Sequence, residues 1–426
     1  MQRIATTLGA SLALVLGGPA VADVPAMLGG GNFLPAGEPV KFAVLQQLGL
    51  GMCRMPTSTY WREGQPQVGH MEQGILAAHA HGIEPMVLFE YYTRFGELGD
   101  AAKWRAIGRA FAERFRPNSP WLVDKGIRDW GVRYWSAINE PEGQNSHINP
   151  TPVPIEGYAT ALEALADGIH SVDPSAQVSP GGFMEVPLLK YDPYVAAVAP
   201  LYNAGKLAAM DIHRYWDVQW IPMDKPQRFS LQAQFDDAKQ RHGITADIAF
   251  YTTEVNFKHR VVTEDEAAKG FLTALWDALT VVGKQGQRVS RFVMPWNILN
   301  TTVQDEHYGL SVQLQPWVPT ARGEVLRRLA ALTRGLEFVS VDPKQTGVSV
   351  LAGQGRTMWV WQNRPNWSTL AGSRFELNDL PPGATRVEVH TWSGLRCSVP
   401  VEGRRRLTLT DLPTDETLMM LALPAS

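Results

Sequence analysis

The chain has 426 residues, more than a single small domain usually contains. Hydrophobic residues make up 45% of it and charged residues 19%, so the composition favours a packed core over disorder. The formal net charge of −3 argues against a protein that binds nucleic acid through a basic surface. No nucleic-acid partner is therefore predicted.

Residues 1–22 are typical of a cleaved signal peptide. Arg3 supplies a positive charge, the run from Leu8 to Gly18 is almost wholly apolar, and Ala20-Val21-Ala22 fits the small-residue cleavage pattern. The apolar run is too short to span a bilayer, and no later segment offers about 20 uninterrupted apolar residues. We expect a mature chain that starts near Asp23, has no membrane span and is secreted or periplasmic.

From residue 23 to residue 335, short apolar β-like runs alternate with amphipathic helical stretches, which favours βα units and a parallel sheet. The pattern predicts an α/β fold, a (β/α)8 TIM barrel. An open doubly wound sheet is the alternative, but Gly29-Gly30-Gly31 lacks the spacing of its phosphate-binding turn. Eight candidate strands are Met27–Phe33, Gly49–Met55, Glu84–Phe89, Arg133–Glu140, Ala176–Gly182, Met210–Tyr215, Ile248–Val255 and Phe292–Ile298.

Between these strands the sequence predicts helices at Ala101–Phe115, Ile155–His170, Glu264–Thr280 and Ala321–Thr333. The first of them carries its apolar residues at three-to-four spacing, which puts them on one helix face.

After Gly335 the pattern changes to short β-prone segments separated by turn-forming residues, which predicts an antiparallel β-sandwich over residues 336–426. The candidate strands are Gly347–Leu351, Thr357–Gln362, Arg374–Leu377, Thr385–Thr391 and Thr417–Leu423.

Two of the predicted barrel strands end in a glutamate. Asn139 and Glu140 close the fourth strand and are followed at once by Pro141, and Glu254 closes the seventh. In this fold the carboxyl ends of the strands carry the active site. Two carboxylates about 5 Å apart can flank a glycosidic bond in a retaining mechanism. The alternative is that each glutamate pairs with an arginine in a structural network.

These motifs resemble glycoside hydrolase clan A, and the C-terminal sandwich resembles that of family 39. Members of the clan place Asn-Glu-Pro at the fourth strand and a nucleophilic Glu at the seventh. The resemblance implies that Glu140 is the acid/base, that Glu254 is the nucleophile, and that Asn139 hydrogen-bonds a sugar 2-hydroxyl.

Other residues match the clan's pattern as well. The resemblance implies that Arg54 lies beside the nucleophile and lowers its pKa, and that Trp296 forms the floor of the sugar subsite. Tyr215 could donate a hydrogen bond to Glu254, while His213 has an alternative role as a buried core histidine.

Aromatic residues in predicted loops are candidates for stacking on sugar rings, and we expect about half of them to contact substrate. They are Tyr60, Trp61, Tyr91, Tyr92, Trp216, Trp220, Phe257 and Tyr308. Tyr91 and Trp216 are assigned to the substrate site. Glu90, which ends the third strand, is assigned there too, as a ligand of a sugar hydroxyl or a competing catalytic group.

No metal or cofactor is expected. His79-Ala-His81 imitates a metal motif, but it belongs to a helix that leads into the third strand and thus lies at the wrong end of the barrel. Cys53 and Cys397 are expected to be unpaired buried thiols, with a disulfide as the alternative.

The sequence therefore predicts a retaining hydrolase of β-linked polysaccharide or oligosaccharide, for which a bacterial exopolysaccharide is one candidate. The alternatives are an exo-acting β-xylosidase, a cellulase-type enzyme, and a non-catalytic glycan-binding barrel of a secretion complex. A monomer with a carbohydrate substrate is expected.

Overall fold

The computed structural model describes residues 23–31, 39–91, 98–143, 152–184, 191–216, 230–257, 263–298, 308–314, 316–341, 348–362, 374–413 and 416–425. The expected signal peptide lies outside these residues. In chain order the helices are α1 (Val24–Met27), α2 (Pro39–Leu48), α3 (Glu72–Ala80), α4 (Ala101–Phe115), α5 (Pro120–Asp124), α6 (Tyr158–His170), α7 (Asp192–Asn203), α8 (Leu231–Arg241), α9 (Glu264–Leu279) and α10 (Ala321–Thr333).

The strands fall into an N-terminal and a C-terminal group. The first group is β1 (Gly29–Gly30), β2 (Met52–Thr57), β3 (Trp61–Arg62), β4 (Gln65–Pro66), β5 (Glu84–Phe89), β6 (Tyr134–Ala137), β7 (Gln177–Pro180), β8 (Ala209–Asp211), β9 (Arg214–Trp216), β10 (Ala249–Phe257), β11 (Ser290–Pro295), β12 (Ser311–Leu314) and β13 (Trp317–Pro319). The second group is β14 (Glu337–Ser340), β15 (Ser349–Gly353), β16 (Arg356–Trp361), β17 (Phe375–Asn378), β18 (Ala384–Thr391), β19 (Gly394–Pro400), β20 (Arg406–Leu409) and β21 (Leu418–Pro424).

Two parallel sheets form the centre of the N-terminal part. One has the order β1-β2-β5-β6-β7, and in the other β10 lies between β11 and the consecutive short strands β8 and β9. Parallel bridges join the two sheets at both edges, between Phe183 and Ile212 on one side and between Leu28 and Val293 on the other. The predicted α/β class with parallel strands is therefore confirmed.

Side chains alternate between the two faces of these strands, so each strand contributes to two cores. On one face a cluster of buried residues packs inside the sheets, comprising Met52, Met86, Ala209, Tyr251, Phe292 and Met294. On the other face Cys53 and Val87 belong to the main core, which the helices cover. Burial on both faces explains why the strand sequences are apolar almost throughout.

Helix α4 shows how the helical layer is built. The Asp100 side chain accepts a hydrogen bond from the backbone N–H of Lys103 at 3.0 Å and caps the helix. The apolar face found in the sequence is buried, and the helix has the predicted bounds. Gly108 allows close contact with α6, because a Cβ there would lie 2.4 Å from the carbonyl oxygen of Leu165.

The C-terminal part is antiparallel. Its larger sheet has the order β14-β15-β16-β21-β18-β19, and β17 pairs with β20. Apolar residues of both sheets, among them Trp359 and Leu377, share one buried cluster. A hydrogen bond also connects the larger sheet to α9. The hydroxyl oxygen of Thr273 on α9 lies 2.7 Å from that of Thr417, the residue before β21.

Several predicted strand bounds were wrong. The first strand begins only at β1, because the chain forms a helical turn at Val24–Met27, and residues 32–33 of the prediction lie outside the described residues. The sixth predicted strand is divided into β8 and β9, and the fourth ends at Ala137, three residues early. Strands β14, β19 and β20 were missed in the C-terminal part.

Both cysteines are free, as predicted, although Cys397 is only partly buried while Cys53 is fully buried. His79 packs edge-on against Trp130 at 4.8 Å between ring centroids, and His81 hydrogen-bonds the carbonyl of Ala77. None of the helices described by the structure is long and apolar enough to cross a bilayer.

Candidate active site

Arg54 forms the base of a polar cluster at the carboxyl ends of the parallel strands. It follows the buried Met52 by two residues on β2, so its side chain points to the same interior face. The guanidinium is fully buried and forms an ion pair with Glu254. It also donates to the Asn139 side-chain oxygen at 3.1 Å and to the Thr253 hydroxyl at 2.8 Å.

Glu254 reaches this cluster because β10 is irregular at that point. The pairing of β10 with β11 shifts register between Thr252 and Val255. A shift of this kind re-aims side chains, and here Thr253 and Glu254, although adjacent, both contact Arg54. The bulge has no local sequence signal, and Thr253 was missed as a site residue.

The surroundings of Glu254 favour its ionised form. Burial acts to raise its pKa, but the positive charges of His213 and Arg54 and the hydrogen bond from Tyr215 outweigh burial and lower the pKa overall. The Tyr215 hydroxyl lies 2.6 Å from Oε2 of Glu254. The carboxylate is thus held from two sides, by Arg54 at one oxygen and by Tyr215 at the other.

Glu140 is positioned by backbone conformation rather than by strand pairing. It has φ +43° and Ile138 has φ +65°, so the chain turns sharply out of β6 before Pro141. The Glu140 N–H donates to the carbonyl of Gly182 at 2.9 Å. The side chain remains 22% exposed, whereas that of Glu254 is only 8% exposed. Glu140 is therefore the carboxylate that is open to an incoming group.

Gly181 and Gly182, which follow β7, make the close packing around Glu140 possible. A Cβ on Gly181 would lie 2.7 Å from the backbone nitrogen of Asn139, and one on Gly182 would lie 2.0 Å from the His213 ring. Paired glycines at the end of a predicted strand are a sequence signal of close backbone approach.

His213 connects the two glutamates. Its Nδ1 lies 2.7 Å from Oε1 of Glu140 and 3.6 Å from Oε2 of Glu254. Its Nε2 lies 3.2 Å from the Thr253 hydroxyl, which itself donates to Asp211 at 2.6 Å. Nε2 also lies 3.3 Å from Nη1 of Arg54, so the His213 ring lies between the guanidinium on one side and the two carboxylates on the other.

The electrostatics of His213 agree with this geometry. Burial acts to lower its pKa, but the negative charges of Glu254 and Glu140 overcome that effect and raise the pKa to about 9. His213 is both buried and part of the polar cluster, so the two roles considered for it are compatible.

One oxygen of Glu140, one nitrogen of His213 and one oxygen of Glu254 all lie within 4.8 Å of one another. Such a group has ligand types that suit a divalent metal. Arg54 already pairs with Glu254 and His213 already contacts Glu140, however, so a cation would have to displace these contacts. The cluster therefore consists of two neighbouring carboxylates that contacts with Arg54 and His213 hold in place.

The remaining predicted site residues differ in burial and in how much of each the structure describes. Glu90 is buried and its charge interacts with that of Arg54. Trp296 follows β11, is partly exposed, and packs against Gly31; its peptide bond to Asn297 is cis. Tyr91 is buried next to Glu90. For Trp216 the structure describes the backbone, which pairs with Phe257, but not the side chain.

The aromatic candidates include residues with other roles. Tyr60 packs in the core against Phe89 and Trp104, with ring centroids 5.7 Å apart in each case, so it is not a surface platform. Tyr308 packs against Tyr215 at 5.4 Å. Tyr92 and Trp220 lie outside the described residues.

Solved structures with a similar fold cover almost the whole chain. A glucosidase from Croceicoccus marinus has a TM-score of 0.64 and 12% identity, with 95% of this chain and 98% of that chain covered. A family 39 glycoside hydrolase from Bacteroides cellulosilyticus WH2 has a TM-score of 0.57 and 15% identity, with 94% and 81% covered. A family 30 subfamily 8 xylanase from Clostridium acetobutylicum has a TM-score of 0.57 and 12% identity, with 93% and 96% covered.

The chain has the fold of these glycoside hydrolases. The fold similarity expected from the Asn-Glu-Pro motif and its partner glutamate is therefore confirmed. No family model matches the sequence, and no curated protein matches it.

Proposed function

We propose that the protein is a retaining glycoside hydrolase, with Glu140 as acid/base and Glu254 as nucleophile. The observation that carries the proposal is the distance of at most 4.8 Å between carboxylate oxygens of Glu140 and Glu254. Retaining enzymes need carboxyl groups roughly 5 Å apart, whereas inverting enzymes leave room for a water molecule and need roughly 6.5–9.5 Å.

The parallel strands are proposed to form a closed (β/α)8 barrel over residues 23–335, followed by a β-sandwich domain over residues 336–426. The bridges between Leu28 and Val293 and between Phe183 and Ile212 support closure, because they supply the two contacts that an open arrangement would lack. In such a barrel the polar cluster lies at the carboxyl-terminal mouth.

In the first step, Glu254 attacks the anomeric carbon and the bond from that carbon to the leaving oxygen breaks. The leaving oxygen takes a proton from Glu140, and a covalent glycosyl-enzyme remains on Glu254. Arg54 and Tyr215 keep the nucleophile ionised and fix its direction.

In the second step, water attacks the anomeric carbon, gives its proton to Glu140, and releases Glu254. His213 supports both steps. Its protonated Nδ1 lies 2.7 Å from Glu140, so it can stabilise the charge that Glu140 acquires after the first proton transfer. Asn139, anchored by Arg54, is proposed to bind the sugar 2-hydroxyl.

The proposed substrate is a β-linked polysaccharide or oligosaccharide, with a bacterial exopolysaccharide as one candidate and β-xyloside or β-glucan as the others. Similar structures include a glucosidase, a xylanase and the bacterial orthologue of an iduronidase, and they support a sugar substrate without selecting one. Residues 1–22 support export of the protein to the periplasm or the medium.

A non-catalytic glycan-binding barrel is the second candidate from sequence. Such a protein has no need for both carboxylates, or for the Arg54 and Tyr215 contacts that hold Glu254 ionised. The structure contains all of these, so hydrolysis is favoured.

The experiment is a screen of aryl β-glycosides and β-linked oligosaccharides in which NMR identifies the first-formed anomer. We expect release of the β-anomer from a β-glycoside. The Glu140→Gln variant should keep activity on aryl glycosides with very good leaving groups and lose it on oligosaccharides, whereas Glu254→Gln should lose both. An α-anomer as first product would exclude the retaining mechanism.

A further inference from the structure

Glu90 is an acidic side chain of the cluster that the mechanism above does not use. Met86, Leu88 and Glu90 alternate with Val87 and Phe89, which belong to the helix-covered core. Since Met86 faces the interior cluster, the carboxyl of Glu90 faces the interior as well.

Glu90 also lies between the strands that carry the catalytic cluster. Strand β5 lies between β2, which carries Arg54, and β6, which leads to Glu140. The Glu90 N–H donates to the carbonyl of Thr57 at 2.9 Å, which continues the pairing of β5 with β2 past the end of the strand. Its position is therefore fixed by the backbone, close enough to the proposed sugar site for its charge to interact with those of Arg54 and Glu254.

The carboxyl of Glu90 has unused capacity to accept hydrogen bonds. The residue is only 6% exposed, and within the part of the chain that the structure describes its Oε2 has no hydrogen-bond partner. The two nearby cations are engaged elsewhere, Arg54 with Glu254 and His213 with Glu140. A buried acceptor without a partner is costly, so a bound group that donates to it gains affinity.

We propose that Glu90 selects the charge of the sugar in the cleaved position: it accepts a hydrogen bond from a hydroxyl of a neutral sugar and excludes a uronic acid. This inference rests on the proposed hydrolase function. A hydroxyl satisfies the free oxygen, whereas a sugar carboxylate would meet Glu90 in a cluster that already contains Glu140 and Glu254. Juxtaposed like charges in such surroundings are strongly unfavourable.

The ionisation of Glu90 supports this role and gives it a pH signature. Burial is the main cause that raises its pKa to about 7, assisted by the charges of Glu254 and Glu140 and opposed by those of Arg54 and His213. Between pH 5 and pH 8 Glu90 gains its charge, while a sugar carboxylate is ionised throughout. Exclusion of the acidic sugar should therefore become stronger as the pH rises.

The test compares kcat/KM for substrate pairs that differ only in the C6 group. The pairs are 4-nitrophenyl β-glucoside with β-glucuronide, 4-nitrophenyl β-galactoside with β-galacturonide, and a β-glucan with the same glucan oxidised at C6. For the wild-type protein we expect the neutral member to be preferred at least about 100-fold at pH 7.5, and the ratio to grow from pH 5 to pH 8.

Glu90→Gln removes the charge at nearly constant volume, and it should reduce the neutral-to-acidic ratio by about tenfold or more and abolish its pH dependence. Glu90→Asp keeps the charge and should keep the preference, which covers the case in which the Gln variant folds poorly. Glu142→Gln is the matched control. Glu142 is buried too, burial raises its pKa to about 8, and its Oε2 likewise has no hydrogen-bond partner among the described residues. Its other oxygen is held by the backbone N–H of Met184, so its neutralisation should leave the ratio unchanged.

The outcomes separate the two proposals. If the wild-type protein cleaves the acidic member as well as the neutral one, or if Glu90→Gln leaves the ratio and its pH dependence unchanged, the selection by Glu90 is wrong and the hydrolase remains. If no neutral or acidic probe is cleaved at all, the proposed hydrolase function fails, and the inference with it.

Discussion

The same parallel strands build two layers with opposite chemistry. The lower layer contains Met52, Met86 and Tyr251, which pack in an apolar cluster. The upper layer begins two residues later on the same strands, with Arg54 after Met52 and Thr253 after Tyr251. A step of about 7 Å along each strand therefore separates residues that fill space from residues that form a charged network.

This difference shows how a parallel sheet can place reactive groups accurately. The lower layer is buried and apolar, so its close packing fixes the strands relative to one another. The backbone of the upper layer is therefore held in place as well. The side chains of Arg54, Asn139 and Glu254 can contact one another although they are far apart in sequence. The comparison predicts that substitutions in the upper layer change chemistry, while those in the lower layer change stability alone.

Glu254→Gln should have the largest effect. It keeps the shape of the side chain but removes the nucleophile, so kcat should fall by at least about 10⁴-fold. Initial rates on aryl glycosides measure the loss, and circular dichroism checks that the fold is retained. A loss of less than tenfold would remove Glu254 from the chemistry.

Arg54→Met should lower both the activity and the free energy of unfolding. It leaves the buried carboxylate of Glu254 without its ion-pair partner, so the free energy of unfolding should fall by about 3–5 kcal/mol at pH 7. The pKa of Glu254 is lowered in the folded protein. Its stabilising contribution is therefore present above the ordinary carboxyl pKa and is lost as the pH falls through the folded value.

Urea unfolding at pH 7 and at pH 3 measures the effect of Arg54→Met. The difference between wild type and variant should shrink at the lower pH, because pH 3 lies below the ordinary carboxyl pKa and the charge of Glu254 then stabilises the folded wild type less. A constant difference at the two pH values would mean that Arg54 acts by packing rather than by charge.

Met86→Ala tests the lower layer. The side chain is fully buried, and its truncation should lower the free energy of unfolding by about 2–5 kcal/mol. The kcat of the folded fraction should stay within about threefold of wild type, because no polar contact of the site involves Met86. A large drop in kcat with unchanged stability would contradict the separation of the two layers.

His213→Gln should have an effect on stability that depends clearly on pH. The pKa of His213 is raised to about 9, so the wild-type protein has the full stabilising contribution below pH 6.5 and loses it as the pH rises through 9. That contribution is on the order of 3 kcal/mol. Urea unfolding at pH 6 and pH 10 should show this loss in wild type and a smaller change in the variant.

The sequence predicted some of the strands and helices well because their signals are local. The apolar face of Ala101–Phe115 and the strand Glu84–Phe89 follow from spacing and hydrophobicity alone, and both were found with the predicted bounds. The two glutamates could be found because each follows an apolar strand and one precedes a proline.

The parts that could not be predicted depend on contacts between distant residues. The bulge at Thr252–Val255 and the positive φ of Glu140 arise from the meeting of several strands, and no local pattern encodes them. The same holds for the Thr253 hydroxyl, which links Arg54, His213 and Asp211. Short strands such as β20, with only four residues, carry too little periodicity to be distinguished from loops.

The most direct test of the account is to trap the glycosyl-enzyme. Incubation with a 2-deoxy-2-fluoro glycoside that has a good leaving group, followed by mass spectrometry of peptides, locates the covalent bond. We expect the mass of the peptide that contains Glu254 to increase by one fluoroglycosyl unit, and no increase in the Glu254→Gln variant. An adduct on Glu140 or Glu90, or turnover with no adduct on any residue, would contradict it.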